Sequence, residues 1–73
     1  MAVVGPDGSP TESGSKILLA IMSEMTTPEL ISKSTGLALF LVKSGLHDLE
    51  KARLVKRSGD GYILDQKGID LLS

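Results

Sequence analysis

Apolar residues recur three or four positions apart along the middle of the chain, which is the spacing of a helix that buries one face. The first such stretch covers residues 16–25, and Ser15 can cap its start. Leu19 falls off the main apolar stripe, which consists of Ile17, Leu18, Ile21, Met22 and Met25. We therefore predict a first helix over residues 16–25.

A second, shorter helix is indicated by the run Thr26-Thr27-Pro28-Glu29. This run combines a capping threonine with proline in the first turn, and it also allows a capping box. Gly36 can end the helix because glycine readily adopts the left-handed conformation found there. The pattern predicts about two turns, with Leu30 and Ile31 facing inward.

The longest predicted helix runs from Ala38 to about Arg53. Its core-facing stripe has spacings of 3, 4 and 3 residues and consists of Leu39, Val42, Leu46 and Leu49. The opposite face, at about 100° per residue, consists of Phe40, Leu41, Ser44, His47, Asp48 and Lys51. Gly45 lies inside this helix, where glycine costs about 1 kcal/mol relative to alanine.

Two strands and a last helix follow. Residues 54–58 and 61–65 are predicted to pair, because Ser-Gly-Asp-Gly between them supplies the positive φ angles that a tight reversal requires. Asp65 can cap a final helix over residues 66–72, with Ile69 and Leu72 inward. The fold class is mainly α with a small β-hairpin, in the order helix-helix-helix-strand-strand-helix. The hairpin must lie against the helices, since two strands cannot bury both faces alone.

Residues 1–15 differ in composition from the rest of the chain. They hold three glycines, two prolines and several other turn-favouring residues. Such a composition buries little apolar surface, so we predict a flexible N-terminal tail followed by one folded domain over residues 16–73.

The composition of the 73 residues excludes several function classes. The chain contains no cysteine and a single histidine, His47, so thiolate and two-histidine metal sites are excluded. No nucleophile–base pair is visible, so we expect no enzyme activity, cofactor or metal. Apolar runs reach only six residues, and a membrane helix needs about 20. We therefore expect a cytoplasmic protein that has no membrane contact.

Charge is distributed unevenly although the net charge is only −1. Residues 1–32 contain one lysine against four carboxylates, whereas residues 33–67 contain seven basic side chains against four acidic ones. The positive excess coincides with the longest helix and the hairpin. Asymmetry of this kind indicates either a polyanionic partner or ordinary solvated charge.

A short helix, a brief turn, a longer helix and a basic hairpin together form a winged helix-turn-helix. Residues 27–72 resemble the winged-helix domain of prokaryotic (bacterial or archaeal) transcription regulators of the multiple-antibiotic-resistance and arsenic-repressor types. In the helix-turn-helix, the resemblance rests on Pro28-Glu29-Leu30-Ile31, Gly36-Leu37, Val42, Leu46, Leu49, Glu50 and Lys51. In the wing it rests on Leu54-Val55-Lys56-Arg57, Asp60-Gly61-Tyr62, Leu64, Lys67-Gly68 and Leu71-Leu72.

The resemblance implies a DNA-binding protein, with the longest helix in the major groove and the wing on the DNA backbone. By position, the implied groove-facing residues are Leu39, Phe40, Leu41, Lys43, Ser44 and His47. The implied backbone contacts are Lys51, Lys56 and Arg57, with Lys33 as an addition. Of these, we expect double-stranded DNA to be bound by Lys43, Ser44, His47, Lys51, Lys56 and Arg57.

Two departures from the family pattern leave alternatives open. Residues 38–41 are apolar where the family usually has polar or basic residues. Phe40 and Leu41 can be peripheral core, a protein contact or a DNA contact. The second hypothesis is therefore a protein-interaction module, docking a protein partner or a second copy through Leu39, Phe40 and Leu41. Arg53 stands where the family usually has glycine, and one interpretation is that it caps the helix end.

Overall fold

The computed structural model describes residues 2–72 and contains four helices and one hairpin. The elements are α1 (Glu12–Met22), α2 (Pro28–Thr35), α3 (Leu39–Lys51), β1 (Val55–Ser58), β2 (Gly61–Leu64) and α4 (Gln66–Leu72). The predicted fold class and element order are confirmed, and the layout is winged-helix-like. Every helix within residues 2–72 falls short of the length and apolarity needed to cross a membrane.

Helix α1 begins four residues earlier than predicted, at Glu12. Thr11, not Ser15, is the N-cap, and its hydroxyl oxygen accepts a hydrogen bond from the Gly14 N–H at 3.3 Å. The apolar stripe starts only at Ile17, so hydrophobic periodicity carried no information about the polar first turn.

The segment before α1 contributes to the core, which its composition did not indicate. Val3 is fully buried, and its carbonyl oxygen accepts a hydrogen bond from the Thr11 N–H at 2.9 Å. The Thr11 hydroxyl donates to the Ala2 carbonyl at 2.8 Å, so two bonds tie the segment to the start of α1. The expectation that residues 1–15 bury little apolar surface is therefore wrong at Val3.

Two helical glycines make room for Val3. A Cβ at Gly14 would collide with the Val3 carbonyl oxygen. A Cβ at Gly45 would lie 2.9 Å from Val3 Cγ1 and 3.2 Å from Ile17 Cδ1. The close packing of Val3 between α1 and α3 accounts for a glycine in the interior of α3, where alanine would otherwise be favoured.

Helix α2 follows its local sequence signals. The Thr27 hydroxyl accepts the Leu30 N–H at 3.3 Å, Pro28 occupies the first turn, and Gly36 ends the helix with φ 78°. The short connection to α3 is held by the Ser32 hydroxyl, which donates to the Leu37 carbonyl at 2.6 Å. These features confirm the predicted start and end of α2 and its short connection to α3.

The core is aliphatic and lies between the first three helices and the hairpin. Its buried residues are Val3, Ile17, Leu18, Ala20, Ile21, Ile31, Val42, Leu46, Leu49, Leu54 and Val55. No charged or polar side chain of residues 2–72 is buried with them. The predicted stripe of α3 is confirmed at Val42, Leu46 and Leu49.

Five residues predicted to face inward are exposed: Met22 at 54%, Met25 at 37%, Leu30 at 42%, Leu39 at 37% and Ile69 at 46%. Helix α1 ends at Met22, three residues earlier than predicted, so Met25 lies beyond it. Leu39 is the first residue of α3, so it lies at the end of the stripe. Ile31 takes the core position of α2 and leaves its neighbour Leu30 outside. In α4 Gly68 faces the core, where a Cβ would collide with the Leu54 carbonyl oxygen, and Leu72 packs against the core as predicted, whereas Ile69 is exposed.

The hairpin forms within one residue of its predicted limits. Ser58 pairs with Gly61 across a two-residue loop in which Gly59 has φ 57°. The Tyr62 N–H donates to the Thr26 carbonyl at 2.8 Å, which attaches β2 to the α1–α2 connection. A Cβ at Gly61 would collide with that same carbonyl, so this close approach requires glycine.

Candidate nucleic-acid interface

The outer face of α3 brings together every α3 residue predicted to bind DNA. Lys43, Ser44, His47 and Lys51 are all exposed. At about 100° per residue they lie within a sector of about 100° around the helix axis, together with Phe40. The α3 residues predicted to bind DNA therefore form one continuous surface with Phe40, which we call the α3 outer face (Phe40, Lys43, Ser44, His47 and Lys51), whereas Leu39 and Leu41 lie outside this sector.

The opposite side of the helix holds this surface in place. Val42, Leu46 and Leu49 are fully buried, and Gly45 packs against Val3. Because the inner side is packed along its length, α3 has little freedom to rotate about its axis. The outer side chains are therefore presented from a rigid element, as a recognition surface requires.

The first turn of α3 is apolar and largely exposed. Phe40 is 71% exposed, the most of any large hydrophobic side chain in residues 2–72, whereas Leu41 is half-buried. This exposure rules out the interpretation of Phe40 as peripheral core. Contact with a protein and contact with DNA, for instance with a thymine methyl group, both remain predictions for Phe40.

The two basic wing residues lie on opposite faces of the hairpin. Arg57 pairs with Tyr62 and places its guanidinium carbon 5.9 Å from the centre of the Tyr62 ring, within cation–π distance. Lys56 pairs with Ile63 on the face turned away from the helices. Both basic side chains are exposed, but that of Lys56 makes no ring contact. The wing thus offers one lysine on its outer face and one arginine on its inner face.

Arg53 joins α3 to the wing in an unusual backbone conformation. Its φ is 64°, in the left-handed region that glycine favours. The helix end is capped by backbone hydrogen bonds. The Arg53 N–H donates to the Glu50 carbonyl oxygen at 3.0 Å, and the Leu54 N–H donates to the Leu49 carbonyl oxygen at 2.9 Å. Arg53 therefore does take part in the cap, through its left-handed backbone and its N–H.

The uneven charge of the sequence persists on the surface. From Leu39 to Leu64, five basic side chains stand against three acidic ones, whereas residues 2–38 hold two basic and four acidic side chains. Lys33 is exposed in the last turn of α2, where a positive charge also favours the helix dipole. The basic excess thus coincides with α3 and the wing.

An open cleft between α1 and α2 lies apart from the predicted site residues. It has a volume of about 340 Å³ and is lined by Lys16, Leu19, Ala20, Ser23, Ser34 and Thr35. The Thr35 hydroxyl is already used, because it donates to the Ile31 carbonyl at 2.8 Å and accepts the Leu37 N–H at 3.2 Å. The cleft contains no residue that was predicted to bind DNA or a protein.

The geometry of α3 and the wing is thus the main guide to function. Comparisons of this chain with protein-family models, with curated proteins and with solved structures found no match.

Proposed function

We propose that this protein is a small winged-helix DNA-binding protein, a transcription regulator similar to the prokaryotic multiple-antibiotic-resistance and arsenic-repressor types. The observation that carries the proposal is the exposed α3 outer face, which presents two lysines, a serine and a histidine. Lys56 on the wing adds a further exposed positive charge after the same helix. The winged-helix layout supports a groove-bound α3.

In this mechanism, α3 lies in the major groove, which is about 12 Å wide and admits a helix. Lys43, Ser44 and His47 approach the base edges, where a hydroxyl, an ammonium and an imidazole can each form hydrogen bonds. The remaining basic residues, Lys51, Lys56 and Arg57, contact phosphates. These contacts position the protein, and the α3 contacts provide sequence preference.

The salt dependence of binding to mixed-sequence duplex DNA tests the proposal. With about four to six phosphate contacts in all, which include those of Lys51, Lys56 and Arg57, the logarithmic slope of affinity against salt is expected to be about −4 to −5. Fluorescence anisotropy with a labelled duplex between 50 and 200 mM salt, roughly the range over which such contacts are lost, measures this slope. Salt-independent binding, or no binding at the low end of that range, would contradict the proposal.

A charge-matched pair of variants distinguishes DNA binding through a defined protein surface from nonspecific electrostatic attraction. Lys56→Ala removes a charge from the wing, and Lys16→Ala removes one from α1, outside α3 and the wing; both lysines are exposed. Lys56→Ala is expected to weaken binding uniformly across sequences and to lower the salt slope by about 1. Lys16→Ala is expected to leave the slope unchanged, and equal losses in both variants would argue against a defined interface.

A second candidate function is a protein-interaction module, and the exposure of Phe40 favours it. In that case Leu39, Phe40 and Leu41 would dock a protein partner or a second copy of the chain. Phe40→Glu would then abolish partner binding while leaving the fold intact. Under the DNA-binding proposal the same variant weakens duplex binding through the added negative charge.

Amide chemical-shift mapping with duplex DNA distinguishes the two functions directly. Shifts that cluster on residues 40–57 support DNA binding through α3 and the wing. An unchanged spectrum supports the interaction module, and a concentration-dependent spectrum without DNA indicates self-association.

A further inference from the structure

Helices α1 and α3 end in the same backbone motif, and in both cases a residue other than glycine adopts the left-handed conformation. At the end of α1, Glu24 has φ 70°, and its N–H donates to the Ile21 carbonyl at 3.0 Å. At the end of α3, Arg53 has φ 64° and makes the equivalent bond to Glu50. Glycine is usual at this position, since a side chain there is strained.

The end of α2 carries the residue that is usual at this position. Gly36 occupies the left-handed position with φ 78°, and a Cβ there would meet no atom within 4 Å. The arginine at the end of α3 therefore has a conformational disadvantage that glycine would remove. Strain at an exposed position does not by itself assign a role to the side chain, since Glu24 shares it, and the surroundings of each residue decide.

The surroundings of Arg53 indicate what that role is. Leu54 and Val55, which follow it, are buried and fix the backbone at this point, whereas the Arg53 side chain is exposed. Within residues 2–72, no hydrogen bond or ion pair joins the guanidinium to another side chain. In sequence, Arg53 stands between Lys51 and Lys56, the last basic residue of α3 and the first of the wing.

We infer that Arg53 is a further phosphate-binding residue, which links the backbone contacts of α3 to those of the wing. This inference rests on the proposed DNA-binding function. The forked guanidinium matches the geometry of a phosphate group and can bind it through two parallel hydrogen bonds. The side chain thus serves DNA binding, and the backbone strain at φ 64° is its structural cost.

The inference predicts opposite effects of one substitution on stability and on binding. Arg53→Gly removes the strain, so the melting temperature is expected to rise by about 4 °C. The same change removes one phosphate contact, so duplex affinity at low salt is expected to fall about tenfold and the salt slope by about 0.9. Thermal unfolding and anisotropy titration of the full chain measure both effects.

Two further variants serve as controls. Arg53→Lys keeps the charge and the strained backbone but loses the two parallel hydrogen bonds, so the melting temperature is expected to stay close to wild type and affinity to fall by less than in Arg53→Gly. Glu24→Gly relieves the same strain at the end of α1, so it should raise the melting temperature without weakening binding. Together they separate the effect of the backbone from that of the charge.

Three outcomes would overturn the inference. If wild type and Lys56→Ala differ in DNA binding but Arg53→Gly binds like wild type, Arg53 makes no contact and the proposed function stands. If Arg53→Gly melts no higher than wild type, the residue carries no strain and the argument for its role fails. If wild type binds no duplex at all, the proposed function and this inference fail together.

Discussion

The two faces of α3 differ in what limits the choice of side chain. On the inner face, Val42, Leu46 and Leu49 have no exposed surface, and Gly45 leaves no space for even one more carbon. On the outer face, side chains from Phe40 to Lys51 extend into solvent. Both faces belong to the same thirteen-residue helix, so helix propensity does not explain the difference.

The comparison shows how a domain of this size can combine stability with a free surface. A small core yields only about 3–5 kcal/mol of net stability, so every buried position of α3 matters to folding. The outer positions contribute little to folding and are available for binding. Substitutions on the inner face should therefore act on the free energy of unfolding, and those on the outer face on recognition.

The largest effect is expected from Leu46→Ala on the inner face. Removing a fully buried leucine side chain leaves a cavity and should lower the free energy of unfolding by about 2–5 kcal/mol. Urea unfolding followed by circular dichroism measures the loss. Ser44→Ala, two residues away on the outer face, is the control and should change stability by less than about 0.5 kcal/mol. Similar losses in both variants would remove the distinction between the faces.

Val3→Ala should be the next most severe change, because Val3 supports α3 from outside the predicted domain. Val3 is fully buried against Gly45, and truncating it should cost about 1–3 kcal/mol in urea unfolding. Val4→Ala is a suitable control, since Val4 is only partly buried. A stability equal to wild type in Val3→Ala would mean that residues 2–11 are not part of the folded unit in solution.

Gly45→Ala sharpens the comparison, because helix propensity and packing oppose each other at this position. Alanine gains about 1 kcal/mol of helix propensity, but overpacking against Val3 Cγ1, 2.9 Å away, costs about 1–3 kcal/mol. We expect a net loss of about 1 kcal/mol in wild type. In the Val3→Ala background the loss should disappear, and a double-mutant cycle by urea unfolding would show the coupling. Additive effects of the two substitutions would contradict the contact.

The smallest effect on stability is expected from Phe40→Glu on the outer face. Because Phe40 is 71% exposed, the substitution should change the free energy of unfolding by no more than about 0.5 kcal/mol. Urea unfolding measures this, with Leu46→Ala as the destabilised reference. Loss of the folded state would show that Phe40 packs against the protein itself.

Elements defined by local chemistry were predictable from the sequence. Thr27, Pro28 and Gly36 delimit α2 through capping and φ preferences, and Gly59 allows the two-residue reversal of the hairpin. The spacing of the apolar residues also predicted which side of α3 faces solvent. These signals act within a few residues of one another, so the physical cause is visible in the sequence itself.

The candidate site was predictable in part. The exposed α3 positions Lys43, Ser44 and His47 follow from helical geometry alone. Strand alternation places Lys56 and Arg57 on opposite faces, but which of them faces away from the helices was not predictable, because it depends on how the hairpin packs, including the bond between Tyr62 and Thr26. Only the resemblance indicated the left-handed conformation of Arg53, because the regulator family that the sequence resembles usually has glycine at the corresponding position.

The sequence by itself determined the order of helices and strands and most of their limits, because caps, turns and hydrophobic periodicity are local. Only the tertiary structure decided that Val3 belongs to the core, that Leu39 and Ile69 do not, and that Gly45 is required to be glycine. Each of these outcomes depends on the space left by residues distant in the chain. Such space is a property of the packed molecule, and no local pattern of residues encodes it.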